Sequence, residues 1–144
     1  MIMSYHIVLG VTGSIAAYKA VELVSCLMKQ GNHVVVIMTS TAQRFVSPVT
    51  FRSISHNRIV TDLFIDNENY DPNHVSLAEQ ADLLVVAPAT ANFIGKIASG
   101  IADDALTCTV MAARSPVIIA PAMNDSMYLN PIVQENIKKL IHHG

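Results

Sequence analysis

Short apolar runs alternate with longer stretches of helical spacing along the whole of this chain. Tyr5 to Val11 is an apolar run closed by Gly10-Val11-Thr12-Gly13, the pattern of a buried strand entering a turn. Ala16 to Lys29 carries apolar residues at Ala16, Ala20, Leu23, Val24 and Leu27, the spacing of a one-faced helix, with Gly31 as its stop signal. His33 to Met38 reads as a second strand, rich in Val. The mixed stretch from Thr39 to Arg58 predicts one or two short helices, one of them starting at Pro48. After a polar loop from Asp66 to Asn73, Val75 to Gln80 predicts a short helix and Ala81 to Ala87 another buried strand. Ala91 to Ser99 and Asp104 to Ala113 are helical, Pro116 to Ala120 is a strand, and Pro131 to His142 is a closing helix.

Strands that read as buried on both faces and alternate with helices imply an α/β fold. The expected architecture is a three-layer, doubly wound parallel sheet, Rossmann-like or flavodoxin-like, in a single domain over residues 1–144. Ligands of such sheets sit outside the carboxyl ends of the strands. That rule selects four loops: Gly10 to Ile15, Thr39 to Thr41, Pro88 to Asn92, and Pro121 to Tyr128.

Composition changes this picture in one respect. Hydrophobic residues make up 51% of the chain and charged residues 14%, against roughly a quarter charged in an average domain. The apolar surplus needs covering, and a homo-oligomer is the favoured way to cover it. The net charge of −2, without a basic cluster, leaves no electrostatic footprint for nucleic acid. Cys26 and Cys108 lie in helical segments and form no disulfide or metal framework. No apolar run is long enough to span a membrane and the first strand starts too early for a cleaved leader, so a cytoplasmic location is expected.

The four loops carry the candidate chemistry. Gly13-Ser14 stands at a helix start, where Ser14 could cap the helix and free N–H groups could hold a phosphate; a tight turn and cap alone is an equal reading. The Gly10-x-x-Gly13 spacing is not the dinucleotide Gly-x-Gly-x-x-Gly pattern. Strand two ends in Met38-Thr39-Ser40, without the acidic residue that an NAD ribose requires, and hydroxyls there suit a phosphate or ribityl chain. Thr90 could cap the next helix, while Asn92 could donate to a ring carbonyl or a phosphate. Asn124 is either a cap or a hydrogen-bonding partner for a substrate carboxylate. His74, one of six histidines, stands just before a short helix, and a histidine suits proton transfer near neutral pH. Cys108 reads as a small core hydrophobe.

Three segments occur in one order: Gly13-Ser14-Ile15-Ala16-Ala17-Tyr18-Lys19, Pro88-Ala89-Thr90-Ala91-Asn92, and Pro121-Ala122-Met123-Asn124-Asp125-Ser126-Met127-Tyr128. With them the chain resembles the homo-oligomeric flavin-containing cysteine decarboxylases over essentially its whole length. The resemblance implies FMN held by Gly13, Ser14 and Ile15, by Thr39 or Ser40, and by Ala89, Thr90 and Asn92. It implies catalytic roles for His74 and Asn124, with Asn124 contacting the substrate's cysteine carboxylate and Met127 in the same substrate-binding loop. The activity implied is decarboxylation of 4'-phosphopantothenoylcysteine to 4'-phosphopantetheine in coenzyme A biosynthesis, through a thioaldehyde that lets carbon dioxide depart. Trimers, often grouped into dodecamers with flavin and substrate at subunit contacts, are also implied. A cysteine on a flap beyond the last helix serves the family's reductive step, and neither Cys26 nor Cys108 occupies such a flap. A tail outside this sequence is the favoured reason, and a member that stops at the enethiol is the other. The other readings on the same fold are a flavin prenyltransferase, a peptide-cysteine decarboxylase and a non-catalytic flavin-binding regulator.

Overall fold

Successive side chains of a strand point to opposite faces of its sheet, and that alternation divides the core into two layers. The computed structural model describes residues 3–64 and 73–144. Its first strand, β1 (His6–Val11), sends Ile7, Leu9 and Val11 to one face and Val8 to the other. α1 (Ala17–Lys29) then returns the chain to β2 (His33–Met38), which pairs parallel to β1 from His6↔His33 to Val11↔Met38. A single 3-10 turn (Ala42–Arg44) and α2 (Pro48–Ser55) lead to β3 (Ile59–Val60). α3 (Asn73–Gln80) precedes β4 (Leu83–Ala89), and α4 (Ala91–Ala98) and α5 (Ala105–Ala112) precede β5 (Val117–Pro121). The four-residue α6 (Asp125–Tyr128) and then α7 (Pro131–His143) follow.

The five strands form one parallel sheet in the order β3-β2-β1-β4-β5. This is the doubly wound arrangement expected, and its order reverses at β1, where β2 and β4 lie on opposite sides. On one face α1 and α2 bury Ala17, Ala20, Val24 and Phe51 against Ile7, Leu9, Val34 and Val36. On the other, Phe93, Ile94 and Leu106 of α4 and α5 cover Val8, Ile37, Leu84 and Val86. Gly10 permits the close approach of α5: a Cβ there would collide with the Leu106 side chain.

Local signals explain most element ends. At the end of α1, Gly31 takes φ +85, its N–H donates to the Met28 carbonyl and that of Asn32 to the Leu27 carbonyl, a closure that satisfies the last open carbonyls. Ser47 caps α2 ahead of Pro48, and Asn130 caps α7 ahead of Pro131.

Three expectations are adjusted. β4 does not stop at Ala87; it runs through Pro88 to Ala89, with the Ala87–Pro88 peptide cis. His74 stands inside the first turn of α3 rather than ahead of it. Cys108 is only half-buried and belongs to neither core layer; its thiol donates to the Ala102 carbonyl at 3.4 Å. The expected polar loop at 66–72 lies outside the described residues.

Candidate functional site

The carboxyl ends of β1, β2, β4 and β5 open into one cleft of about 560 Å³, a size suited to a cofactor or small-molecule site. Gly13, Ser14 and Ile15 line it from the loop after β1, and Thr39, Ser40 and Thr41 from the loop after β2. Thr90 and Asn92 contribute at the start of α4, with Asn124 and Met127 from the loop and helix after β5. All four expected loops therefore meet in one cleft.

Each loop is held by identifiable bonds. The Ser14 N–H donates to the Thr12 carbonyl at 2.9 Å, and the Ser14 hydroxyl accepts the Ala16 N–H at 3.2 Å. Ser14 thus closes the turn and is not the cap of α1, whose cap position is Ala16 without a side-chain bond. The N–H groups of Gly13, Ile15, Ser40 and Thr41 take no hydrogen bond within the described residues. Donors grouped in this way are suited to an anion. Gly13 permits the close approach of the first two loops, because a Cβ at that position would strike the Thr41 side chain.

The Thr39 hydroxyl accepts the Ala42 N–H at 3.2 Å and starts the 3-10 turn. Thr90 is the cap of α4, accepting the Phe93 N–H at 3.2 Å, and Asn92 on the first turn is exposed. Asn124 lines the cleft and accepts the Ser126 N–H at 2.9 Å through its side-chain oxygen, while its amide nitrogen takes no hydrogen bond among the described residues. The two readings of Asn124, a cap and a ligand for a carboxylate, are therefore compatible in one side chain.

Two expected residues do not line this cleft. Ala89 is fully buried at the end of β4; its carbonyl accepts the Ala122 N–H at 3.0 Å, so it joins the third loop to the fourth. His74 is half-buried on the first turn of α3. α3 leads the chain into the start of β4, which pairs parallel with β1.

Residues absent from the expectations also line the cleft. Lys96 is the one basic side chain in the lining, and its Nζ is held by both carboxylate oxygens of Asp103 at 2.9 and 3.0 Å. Its spacing of four from Asn92 puts both on one helix face, a signal available in the sequence. Asp104, the one acidic lining residue, and Thr107 form a capping box at the start of α5. Burial first, then the carboxylates of Asp104 and Asp103, push the nearby Cys108 thiol above its ordinary pKa. That thiol is held protonated and is a poor nucleophile. Thr12, itself buried, also lines the cleft.

Comparison with known proteins agrees with this arrangement. The family model described as Flavoprotein matches residues 1–144. The coenzyme A biosynthesis bifunctional protein CoaBC of Bacillus subtilis is 50% identical over 144 residues, covering 100% of this chain and 36% of the relative, so the chain spans about a third of that protein's length. A probable phosphopantothenoylcysteine decarboxylase of Streptococcus mutans is 43% identical, with 99% of this chain and 80% of the relative covered. Among solved structures, the FMN-dependent cysteine decarboxylase SpaF superposes with a TM-score of 0.93 at 36% identity, over 100% of this chain and 83% of its own. The FMN-binding protein AtHal3 gives 0.89 at 30%, over 99% and 78%. No helix among the described residues is long and apolar enough to cross a membrane. With its parallel sheet, four convergent loops and full-length family match, the chain belongs to the flavoprotein family.

Proposed function

We propose that this chain binds FMN in the cleft and decarboxylates 4'-phosphopantothenoylcysteine to 4'-phosphopantetheine in coenzyme A biosynthesis. The convergence of Gly13-Ser14-Ile15, Thr39-Ser40, Thr90, Asn92, Asn124 and Met127 on one cleft carries this reading. The free N–H groups of Gly13, Ile15, Ser40 and Thr41, beside the Ser14 and Thr39 hydroxyls, fit a phosphate and ribityl chain. The exposed side chains of Ile15 and Met127 offer apolar surface for a planar ring and a substrate. The names of the relatives support the same chemistry.

When bound, FMN would supply a two-electron acceptor for oxidation of the substrate thiol to a thioaldehyde, into which the electrons of the departing carboxylate move, and would return the same two electrons to the resulting enethiol, so that the saturated thiol forms with no net redox change. His74 takes the proton released in that oxidation, a role to which an imidazole side chain is suited. The Asn124 amide holds the carboxylate in line for departure, a positional contribution made without charge. Ala89 serves this site from behind, as the tie between the third and fourth loops. His74 does not line the cleft of its own chain, and the chain assembles as a trimer or dodecamer with flavin and substrate at subunit contacts. The exposed apolar residues around the cleft, Ile15, Tyr18, Met127 and Leu129, support that assembly.

The test is a visible spectrum of the purified protein, followed by product mass after incubation with phosphopantothenoylcysteine, a cysteinyl peptide or a prenyl phosphate. Oxidised-flavin bands and loss of carbon dioxide from the first substrate are expected. A colourless protein rejects the cofactor, and turnover of another substrate alone rejects the assignment. His74→Asn is expected to keep the flavin bands and lower turnover by about 10²–10⁴-fold; undiminished turnover removes His74 from the chemistry.

A further inference from the structure

The four loops of the cleft are joined laterally at three places. The Thr39 N–H donates to the Val11 carbonyl at 3.1 Å, and the Ala122 N–H donates to the Ala89 carbonyl at 3.0 Å. Both bonds are main-chain continuations of the sheet and are indifferent to side-chain identity. The remaining join, between the loops after β1 and β4, includes a side chain. The Thr12 hydroxyl donates to the Pro88 carbonyl at 2.6 Å and accepts the Thr90 N–H at 3.0 Å. The Thr12 N–H reaches the same Pro88 carbonyl at 3.3 Å.

We propose that Thr12 is a positioning residue of the cleft: its hydroxyl sets the register between the Gly13-Ser14-Ile15 loop and the Thr90-to-Asn92 start of α4, the two segments between which FMN is held. The inference rests on the flavin reading given above.

Three observations lead to it. Thr12 as a whole is 1% exposed, so water does not replace the bonds of its hydroxyl. Its one proton goes to Pro88 and a lone pair goes to Thr90, so it acts as donor and acceptor at once across the crevice. Both its neighbours are working parts: the Thr12 carbonyl anchors the Ser14 N–H, and Thr90 caps the helix that presents Asn92 and Lys96. A shift at Thr12 therefore moves both walls of the cleft together. No other side-chain bond between these two loops occurs among the described residues. Serine can make both bonds of the hydroxyl and valine neither, although valine matches threonine in shape.

The experiment compares the full-length wild type with Thr12→Val, Thr12→Ser and a control, Thr109→Val. Thr109 is equally buried, and its hydroxyl bonds only within α5, to the Ala105 carbonyl at 2.7 Å. FMN affinity is measured by flavin fluorescence titration, hydrogen exchange at Thr90 by mass spectrometry of flavin-free protein, and folding by thermal melting. Thr12→Val is expected to weaken FMN binding by at least about tenfold and to speed exchange at Thr90. Thr12→Ser should restore both within about threefold of the wild type. Thr109→Val should lower the melting temperature and leave FMN affinity unchanged. Wild-type affinity in Thr12→Val, equal weakening in Thr109→Val, or failure of serine to restore binding would each overturn the proposal. So would unchanged exchange at Thr90, which is read without flavin. If the wild type itself binds no FMN, the flavin reading fails, and the exchange data still decide whether the hydroxyl couples the two loops.

Discussion

Two parts of this molecule use similar apolar sequence to different ends. Every strand and α-helix from β1 to α5 contributes buried residues, and Leu9, Val24, Val36, Phe51 and Leu84 have no accessible surface. From Met111 to Gly144 no residue is buried, although Val117-Ile118-Ile119-Ala120 reads as a core strand as plainly as His33 to Met38 does. The difference lies in coverage. β2 has helices on both faces, whereas β5 is an edge strand with Val117 and Ile119 half-buried on one face and Ile118 and Ala120 exposed on the other. An apolar run therefore states that a surface is to be covered, and leaves open whether the same chain covers it.

Substitutions can sharpen or break that contrast. The largest effect is expected in the covered part: Phe51→Ala should cost about 3–5 kcal/mol of folding free energy, read by denaturant unfolding. A loss below about 1 kcal/mol would mean that the α2 side of the core is not close-packed. Helix caps give the next step. Thr90→Ala should cost about 1 kcal/mol because α4 is anchored by Phe93 and Ile94, whereas Asn124→Ala, on a helix with no buried residue, should cost only a few tenths. Asn124→Ala should nevertheless abolish decarboxylation while leaving the flavin spectrum in place. Ile118→Ser and Ile141→Ser, at exposed positions, should change the stability of the isolated chain by less than about 0.5 kcal/mol. Sedimentation should instead show a smaller assembly for at least one of them; an unchanged assembly mass for both would mean that other surfaces are covered.

The smallest effect concerns the thiols. Because the Cys108 thiol is raised, its folded form keeps the proton at pH values where an unfolded thiol has lost it. Any stability this confers is complete below the ordinary thiol value and is lost as pH rises through the raised one. Between pH 7 and 9, Cys108 should therefore lag behind the exposed Cys26 in alkylation by iodoacetamide. Equal rates would show that the end of α5 opens freely.

Most of the covered part was legible in the sequence because its signals are local. The runs of β1 and β2, the spacing of α1 with Gly31 after it, and Pro48 at the head of α2 each reflect a preference of their own segment. β3 was not legible, since two residues carry no periodicity and owe their strand geometry to pairing with Val36 and Ile37. The end of β4 was misplaced for a related reason. Proline lacks the donor that a strand uses, yet the Pro88 carbonyl remains and is taken by Thr12 from 76 residues away in sequence. Within the cleft, loop membership was legible from the rule on strand ends, and Lys96 could have been found from its spacing to Asn92. Whether Ser14 caps a helix or closes a turn depends on the path of the loop, which its flanking residues do not decide. Thr12 looked like part of a glycine turn, because a hydroxyl reveals its partners only once distant strands are adjacent.

The tie between Ala89 and Ala122 has a kinetic consequence. Because two walls of the cleft continue the hydrogen-bond ladder of the sheet, a ligand entering there meets donors already in place and has little backbone to order. Association should then rise linearly with ligand concentration in a single exponential phase, without the plateau of a slow rearrangement, so that differences among ligands fall mainly on how long each one stays.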